Sequence, residues 1–111
     1  MTENHSSLWS ANEELKKNSQ LEKFCKRLEK KGLFKNTSKF KDIWEWSVKN
    51  PEYFWSEVWD FTKIKGIKKG KIIKKNKRFY KNIFFPDSKI NYAENLLTKK
   101  NQETAINFFS E

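Results

Sequence analysis

Apolar side chains along the first half of the chain recur at helical spacing. Leu21, Phe24, Cys25 and Leu28 fall at i, i+3, i+4 and i+7, one face of a helix. Lys23, Lys26, Arg27 and Lys30 occupy the other side. Ser19 and Glu22 have capping-box spacing, which predicts the start of this helix, and Gly32 is placed to end it in a left-handed conformation. A second stripe predicts a helix over 38–49, with Phe40, Ile43, Trp44 and Ser47 on one face and Trp46 and Val48 widening it. Asn50, Pro51 and Glu52 then read as a fresh helix start: a cap, a first-turn proline and an acid at the positive end of the dipole. Phe54, Trp55, Val58 and Phe61 line that third helix, with Trp59 beside them, so the last two helices are expected to share an aromatic core.

The second half is less regular. Ile64, Ile67, Ile72 and Ile73 interrupt a run of lysines, and Gly66 and Gly70 mark turns, which predicts an exposed connection with short extended pieces. Phe79 to Phe85 is apolar and aromatic, and Pro86, Asp87 and Ser88 read as a turn. Asn91 caps a further short helix, with Glu94 at its third position and Leu96 and Leu97 expected to bury. Thr104 to Ser110 alternates around Ile106 and Phe108 and reads as a strand whose sheet lies in sequence beyond this chain. At the other end, residues 1–7 read as a polar, disordered arm. Asn12 to Lys17 reads as a short helical turn, and Trp9 as an anchor docked on the core.

The net charge of +10 changes this picture because it is concentrated. Lys63 to Arg78 holds eight Lys, one Arg and no acid, so the remainder is nearly neutral and the chain is not a uniformly basic nucleic-acid binder. One cysteine, Cys25, excludes an internal disulfide or a paired-cysteine metal site. On the apolar face of its helix, with no neighbouring His, it reads as a buried thiol rather than a nucleophile. His5, in the polar arm, has no role assigned. Asp42, Glu45, Glu52, Glu57 and Asp60 read as solvent-facing carboxylates paired with lysines rather than as an acid–base pair. Residues 1–10 hold no signal-peptide core and no apolar window reaches membrane-spanning length, which points to a cytoplasmic protein.

Several blocks then come in a telling order: Leu8-Trp9-Ser10, Trp44-Glu45-Trp46-Ser47-Val48, Pro51-Glu52-Tyr53-Phe54-Trp55 and Val58-Trp59-Asp60-Phe61. The sharpest block follows, Phe85-Pro86-Asp87-Ser88-Lys89-Ile90-Asn91-Tyr92-Ala93-Glu94-Asn95-Leu96-Leu97. Together they resemble the start of acetoacetyl-CoA synthetases, within the AMP-forming acyl-CoA ligases, over residues 8–110. The resemblance implies a mainly α fold: a small helical N-terminal cap domain, a basic connector and a terminal strand that would join an α/β adenylating domain. Residues 1–18 would be an arm, 19–97 the helical domain and 98–111 the start of the truncated adenylating domain.

The resemblance also implies the chemistry of a complete enzyme. ATP and acetoacetate would give an acyl-adenylate and pyrophosphate. Coenzyme A would then give acetoacetyl-CoA and AMP, with magnesium accompanying ATP. Such chemistry calls for a Ser/Thr/Gly-rich phosphate loop and a charge-neutralising lysine. Three glycines, Gly32, Gly66 and Gly70, make no such loop, and no lysine here matches the family's catalytic motif. No catalytic, cofactor-binding or metal residue is therefore assigned, and the chain alone is expected to be inactive without its remaining domains. The rival reading is a small basic helical module that holds nucleic acid through Lys63 to Arg78, with Trp44, Trp46, Phe54, Trp55, Trp59 and Phe61 as stacking candidates. Helical spacing favours a core role for those rings, and a solvated connector is the plainer role for the lysines.

Overall fold

A computed structural model describes residues 6–111; His5 lies outside them. Helix is the main regular structure, and the chain divides into two compact units, the first ending at Phe61 and the second starting at Thr62.

The first unit contains α1 (Glu13–Asn18), α2 (Gln20–Lys30), α3 (Phe40–Lys49) and α4 (Pro51–Phe61). The ends of α2 follow from local chemistry. Ser19 Oγ accepts from the Glu22 N–H at 3.1 Å, satisfying one free donor of the first turn. The reciprocal half of the expected capping box is replaced, because the Glu22 carboxylate accepts from Asn36 Nδ2 at 3.0 Å. At the other end Gly32 adopts φ +71°, its N–H donates to the Glu29 carbonyl and the Leu33 N–H donates to the Leu28 carbonyl. That is a Schellman motif, and Leu33 packs back on the core.

The core is Phe24, Cys25, Leu28 and Ile43, with Leu33, Phe34, Trp46, Phe54, Val58 and Phe61 packed around it. Leu28 is fully buried. Phe24 meets Phe54 and Phe61 edge-on at centroid distances of 5.9 and 5.3 Å, and Phe34 lies 5.8 Å from Trp46. Three helices therefore contribute to the aromatic core that the sequence pattern gives to two.

Several apolar positions depart from expectation. The helix expected from residue 38 starts at Phe40, because Ser38 is left-handed (φ 58°) in a turn whose N–H donates to Asn36 Oδ1. Ile43 and Trp46, three apart, form the inward stripe of α3, whereas Trp44 and Val48, four apart, lie on the neighbouring stripe and are exposed. Trp9 is 74% exposed rather than docked, and α1 buries no residue that could draw the arm inward. Pro51 opens α4 as expected, but the Asn50 side-chain amide donates to the Trp46 carbonyl and so closes α3.

The second unit is a pair of nested antiparallel ladders. Strand β1 (Gly66–Ile67) pairs with β4 (Lys89–Ile90), and β2 (Ile73–Lys74) pairs with β3 (Ile83–Phe84). Helix α5 (Tyr92–Leu96) follows, its Asn91 cap accepting from the Glu94 N–H at 3.1 Å as expected. Gly66 is in a strand rather than a turn, whereas Gly70 (φ +69°) does turn the chain. The basic segment is thus half of a small β unit, not a plain connector. Leu96 and Leu97 are exposed, because Asn95 takes the inward face of this five-residue helix and its neighbours point about 100° and 200° away. Residues 104–110 form no strand and are exposed, since no described segment offers their backbone a ladder partner.

Candidate functional site

The block that carries the family resemblance and the lysine-rich segment are built into each other. Asn95 Nδ2 donates to the Lys65 carbonyl at 2.9 Å while the Lys65 N–H donates to Asn95 Oδ1 at 2.7 Å. The side-chain amide acts as one more rung beside the Gly66–Ile90 pair. Asn95 Nδ2 also donates to the Asn91 carbonyl at 2.9 Å, which fixes its rotamer within α5.

The Pro86-Asp87-Ser88 turn makes the second tie. The Ser88 N–H donates to the Phe85 carbonyl at 3.1 Å, closing a β-turn with proline at its second position. Asp87 Oδ2 accepts from the Lys71 N–H at 3.2 Å. Ser88 Oγ accepts from the Lys69 N–H at 3.0 Å and donates to the Lys69 carbonyl at 3.2 Å. Gly70 lies between these contacts, and a Cβ there would run into the Asp87 carboxylate. A carboxylate thus occupies the only glycine turn of the basic segment, and the adjoining N–H donors are used. A triphosphate needs those donors free and no anion beside them, so this turn does not fit the phosphates of ATP. Gly32 ends a helix and Gly66 is in a strand. Among the described residues no group of His, Cys, Asp or Glu could hold a metal ion.

In the first unit the sequence reading missed a charged cluster. Glu57 is only 8% exposed, not solvent-facing. It accepts from Arg27 Nε at 3.0 Å and from Lys31 Nζ at 2.9 Å, joining α4 to the end of α2. Burial pushes its carboxyl up. The hydrogen bonds from Lys31 and Arg27 and their positive charges outweigh that and hold it below the usual carboxylate range. Pairing with a lysine is what the sequence leads one to expect, and Lys31 supplies it; the burial has no local signal, since Lys31 and Arg27 lie 26 and 30 positions away.

Cys25 is buried at 4% exposure, and burial, with the Glu22 carboxylate second, pushes its thiol up. Burial and the raised thiol both disfavour the reactive thiolate. Cys25 borders a cleft of about 600 Å³ alongside α1, α2 and α3, with Leu15, Leu21, Phe40 and Ile43 as its apolar wall. Nothing along the sequence marks this cleft, which arises from α1 lying beside α2. Of the aromatic stacking candidates, Trp59 is buried and Trp46, Phe54 and Phe61 pack on the core, while Trp44 and Trp55 keep 54% and 39% exposure. No described helix is long and apolar enough to cross a membrane.

Known proteins resemble the chain in part. It is 36% identical over 67 residues to the acetoacetyl-coenzyme A synthetase of Rhizobium meliloti, a stretch covering 60% of this chain and 10% of that protein. It is 33% identical over 93 residues to the acetoacetyl-CoA synthetase of Danio rerio, covering 79% of this chain and 13% of that protein. No family model and no solved structure matches. The chain spans only 10–13% of the length of these curated relatives, and its shown likeness is to that portion of two acetoacetyl-CoA synthetases.

Proposed function

We propose that the chain is the N-terminal part of an ATP-dependent acetoacetate–CoA ligase and supplies that enzyme's helical cap. The observation that carries this reading is the identity to acetoacetyl-CoA synthetases of a bacterium and a fish over most of the chain. The fold supports it in one respect. Two residues of the most family-like block, Asn91 and Asn95, are spent on holding the second unit together, and Asp87 and Ser88, which stand where the family usually has small residues, brace the same unit. They are architectural and make no reaction centre.

In this reading ATP, Mg2+ and CoA belong to the remaining adenylating and C-terminal domains, and the acid pocket lies there too. The cytoplasm is the compartment where such a ligase would work. The present chain contributes no catalytic group. Exposed apolar residues such as Leu96, Leu97, Ile106 and Phe108 are then surfaces that the rest of the ligase covers.

The test is a chimera. The matching segment of the Rhizobium meliloti synthetase is replaced by this chain, and ATP-dependent formation of acetoacetyl-CoA is followed. A soluble chimera that turns over supports the reading, with the isolated chain giving no thioester. A folded chimera without activity, or thioester formation by the isolated chain, opposes it.

A further inference from the structure

The β2–β3 hairpin ends in a tip, residues 74–82, that the ligase reading does not use. Lys74, Lys75, Lys77, Arg78 and Lys81 are all exposed there, and none forms an ion pair among the described residues. Between them stand two aromatic rings, Phe79 and Tyr80, which are 83% and 75% exposed. The nearest acid that follows is Asp87, whose carboxylate already accepts from the Lys71 N–H.

The tip is not a frayed loop. The Asn76 N–H donates to Asn82 Oδ1 at 2.7 Å across its base, and Asn76 Oδ1 accepts from the Arg78 N–H at 2.9 Å. A 3-10 turn over Phe79–Lys81 closes through the Lys81 N–H to the Arg78 carbonyl (2.9 Å) and the Asn82 N–H to the Phe79 carbonyl (3.1 Å). The Ile73–Phe84 and Lys74–Ile83 pairs hold its stem. Two large exposed rings thus stand on a braced protrusion among five cations that form no ion pair within the described residues, and Arg78 Nη1 donates to the Tyr80 hydroxyl at 3.4 Å.

We propose that this tip anchors the chain at an anionic lipid surface, with Phe79 and Tyr80 entering the headgroup layer and the five cations meeting its negative charge. A lipid anchor at this tip stands whether or not the chain is part of a ligase. Aromatic rings favour the membrane–water boundary, and clustered lysines near an anionic leaflet are attracted to it. A single-stranded nucleic acid shares the charge requirement but needs rings that form one platform for successive bases. Adjacent residues in a 3-10 turn point about 120° apart, so Phe79 and Tyr80 do not form one. Four of the five cations are lysines, point charges suited to a fluid surface rather than the planar fork that fits a fixed phosphate.

Co-sedimentation of the full chain with mixed phosphatidylcholine–phosphatidylserine vesicles tests this, against pure phosphatidylcholine vesicles and a thymidine oligonucleotide. Binding to the mixed vesicles alone is expected. Lys75→Gln with Lys77→Gln should weaken it about 25-fold at low salt, about fivefold per lysine. Phe79→Ser with Tyr80→Ser, which leaves every charge in place, should weaken it about tenfold or more and abolish the part that survives added salt. Both pairs are exposed, so circular dichroism should match the parent chain. No sedimentation with mixed vesicles overturns the proposal. So does parent-like binding by the aromatic variant, or tighter binding to the oligonucleotide than to the vesicles.

Discussion

Replacing Glu57 by Gln isolates the charge of one buried side chain while keeping its shape. In the native fold its carboxylate takes three short contacts: Arg27 Nε at 3.0 Å and Lys31 Nζ at 2.9 and 3.0 Å. Glutamine keeps one carbonyl acceptor but turns an NH2 toward the donors. A hydrogen bond to a charged group is worth roughly 1.5–3 kcal/mol. The partners remain 34% and 43% exposed, so water re-solvates them when the carboxylate is lost, and the lower end of that range applies. The expected loss is about 1.5 kcal/mol near neutral pH, or roughly 6–12 °C in melting temperature for a domain of this size.

The pH dependence sharpens the test. The folded carboxyl is held below its unfolded value, so its contribution is complete above the unfolded pKa of about 4.3 and disappears as pH falls through the folded one. The gap between parent and Glu57→Gln, read by circular dichroism melts, should therefore close on acidification. The exposed Lys41–Glu45 pair, 3.8 Å apart, serves as the control: Glu45→Gln should shift stability by no more than about 0.5 kcal/mol. If Glu57→Gln melts like Glu45→Gln, or its deficit persists unchanged at about pH 3, the ion triad does not hold α4 to α2.

Leu28→Ala should cost about 2–5 kcal/mol in chemical denaturation, because this fully buried side chain is the centre of the core; a loss below about 1 kcal/mol would mean the site collapses or the core lies elsewhere. Gly32→Ala and Gly70→Ala both place a Cβ at positive φ, but only the second meets an obstacle, the Asp87 carboxylate. Melts should show about 1 kcal/mol for Gly32→Ala and a larger loss for Gly70→Ala, and the reverse order would contradict the Asp87 contact. Cys25 should react with a thiol reagent far more slowly in the native chain than in denaturant. Its stability contribution is present below the unfolded thiol pKa of about 8.5 and lost as pH rises through the raised folded one; equal labelling rates would show the thiol is open.

Local signals in the sequence were legible where the structure solves a local problem. Ser19, Gly32 and Asn91 each cap a helix end through contacts within five residues, and their spacing announces it. The stripe Phe24, Cys25 and Leu28 is the core because α2 has one apolar face. Legibility fades where partners are distant. Glu57 reads like any helix-surface acid until α2 and α4 meet. The lysine-rich segment reads as a connector because its ties, Asn95 to Lys65 and Ser88 to Lys69, are side-chain contacts to backbone 30 and 19 positions away. Aromatic content misled in the opposite direction. Trp9, Phe40 and Trp44 are apolar enough for a core, yet they are exposed, outside the cluster of Phe24, Cys25, Leu28 and Ile43. Within the candidate site, the resemblance located the block 85–97, while its role as a brace emerged only from the hydrogen bonds.

If this chain begins an acetoacetate–CoA ligase, its reading frame runs on into the catalytic domains. Sequencing the coding DNA beyond the codon for Glu111 tests it most directly. The expected result is an open frame that continues through a Ser/Thr/Gly-rich phosphate loop and on into alternating strands and helices of an adenylating domain. A stop codon at that point, or a continuing frame without such a loop, would contradict it.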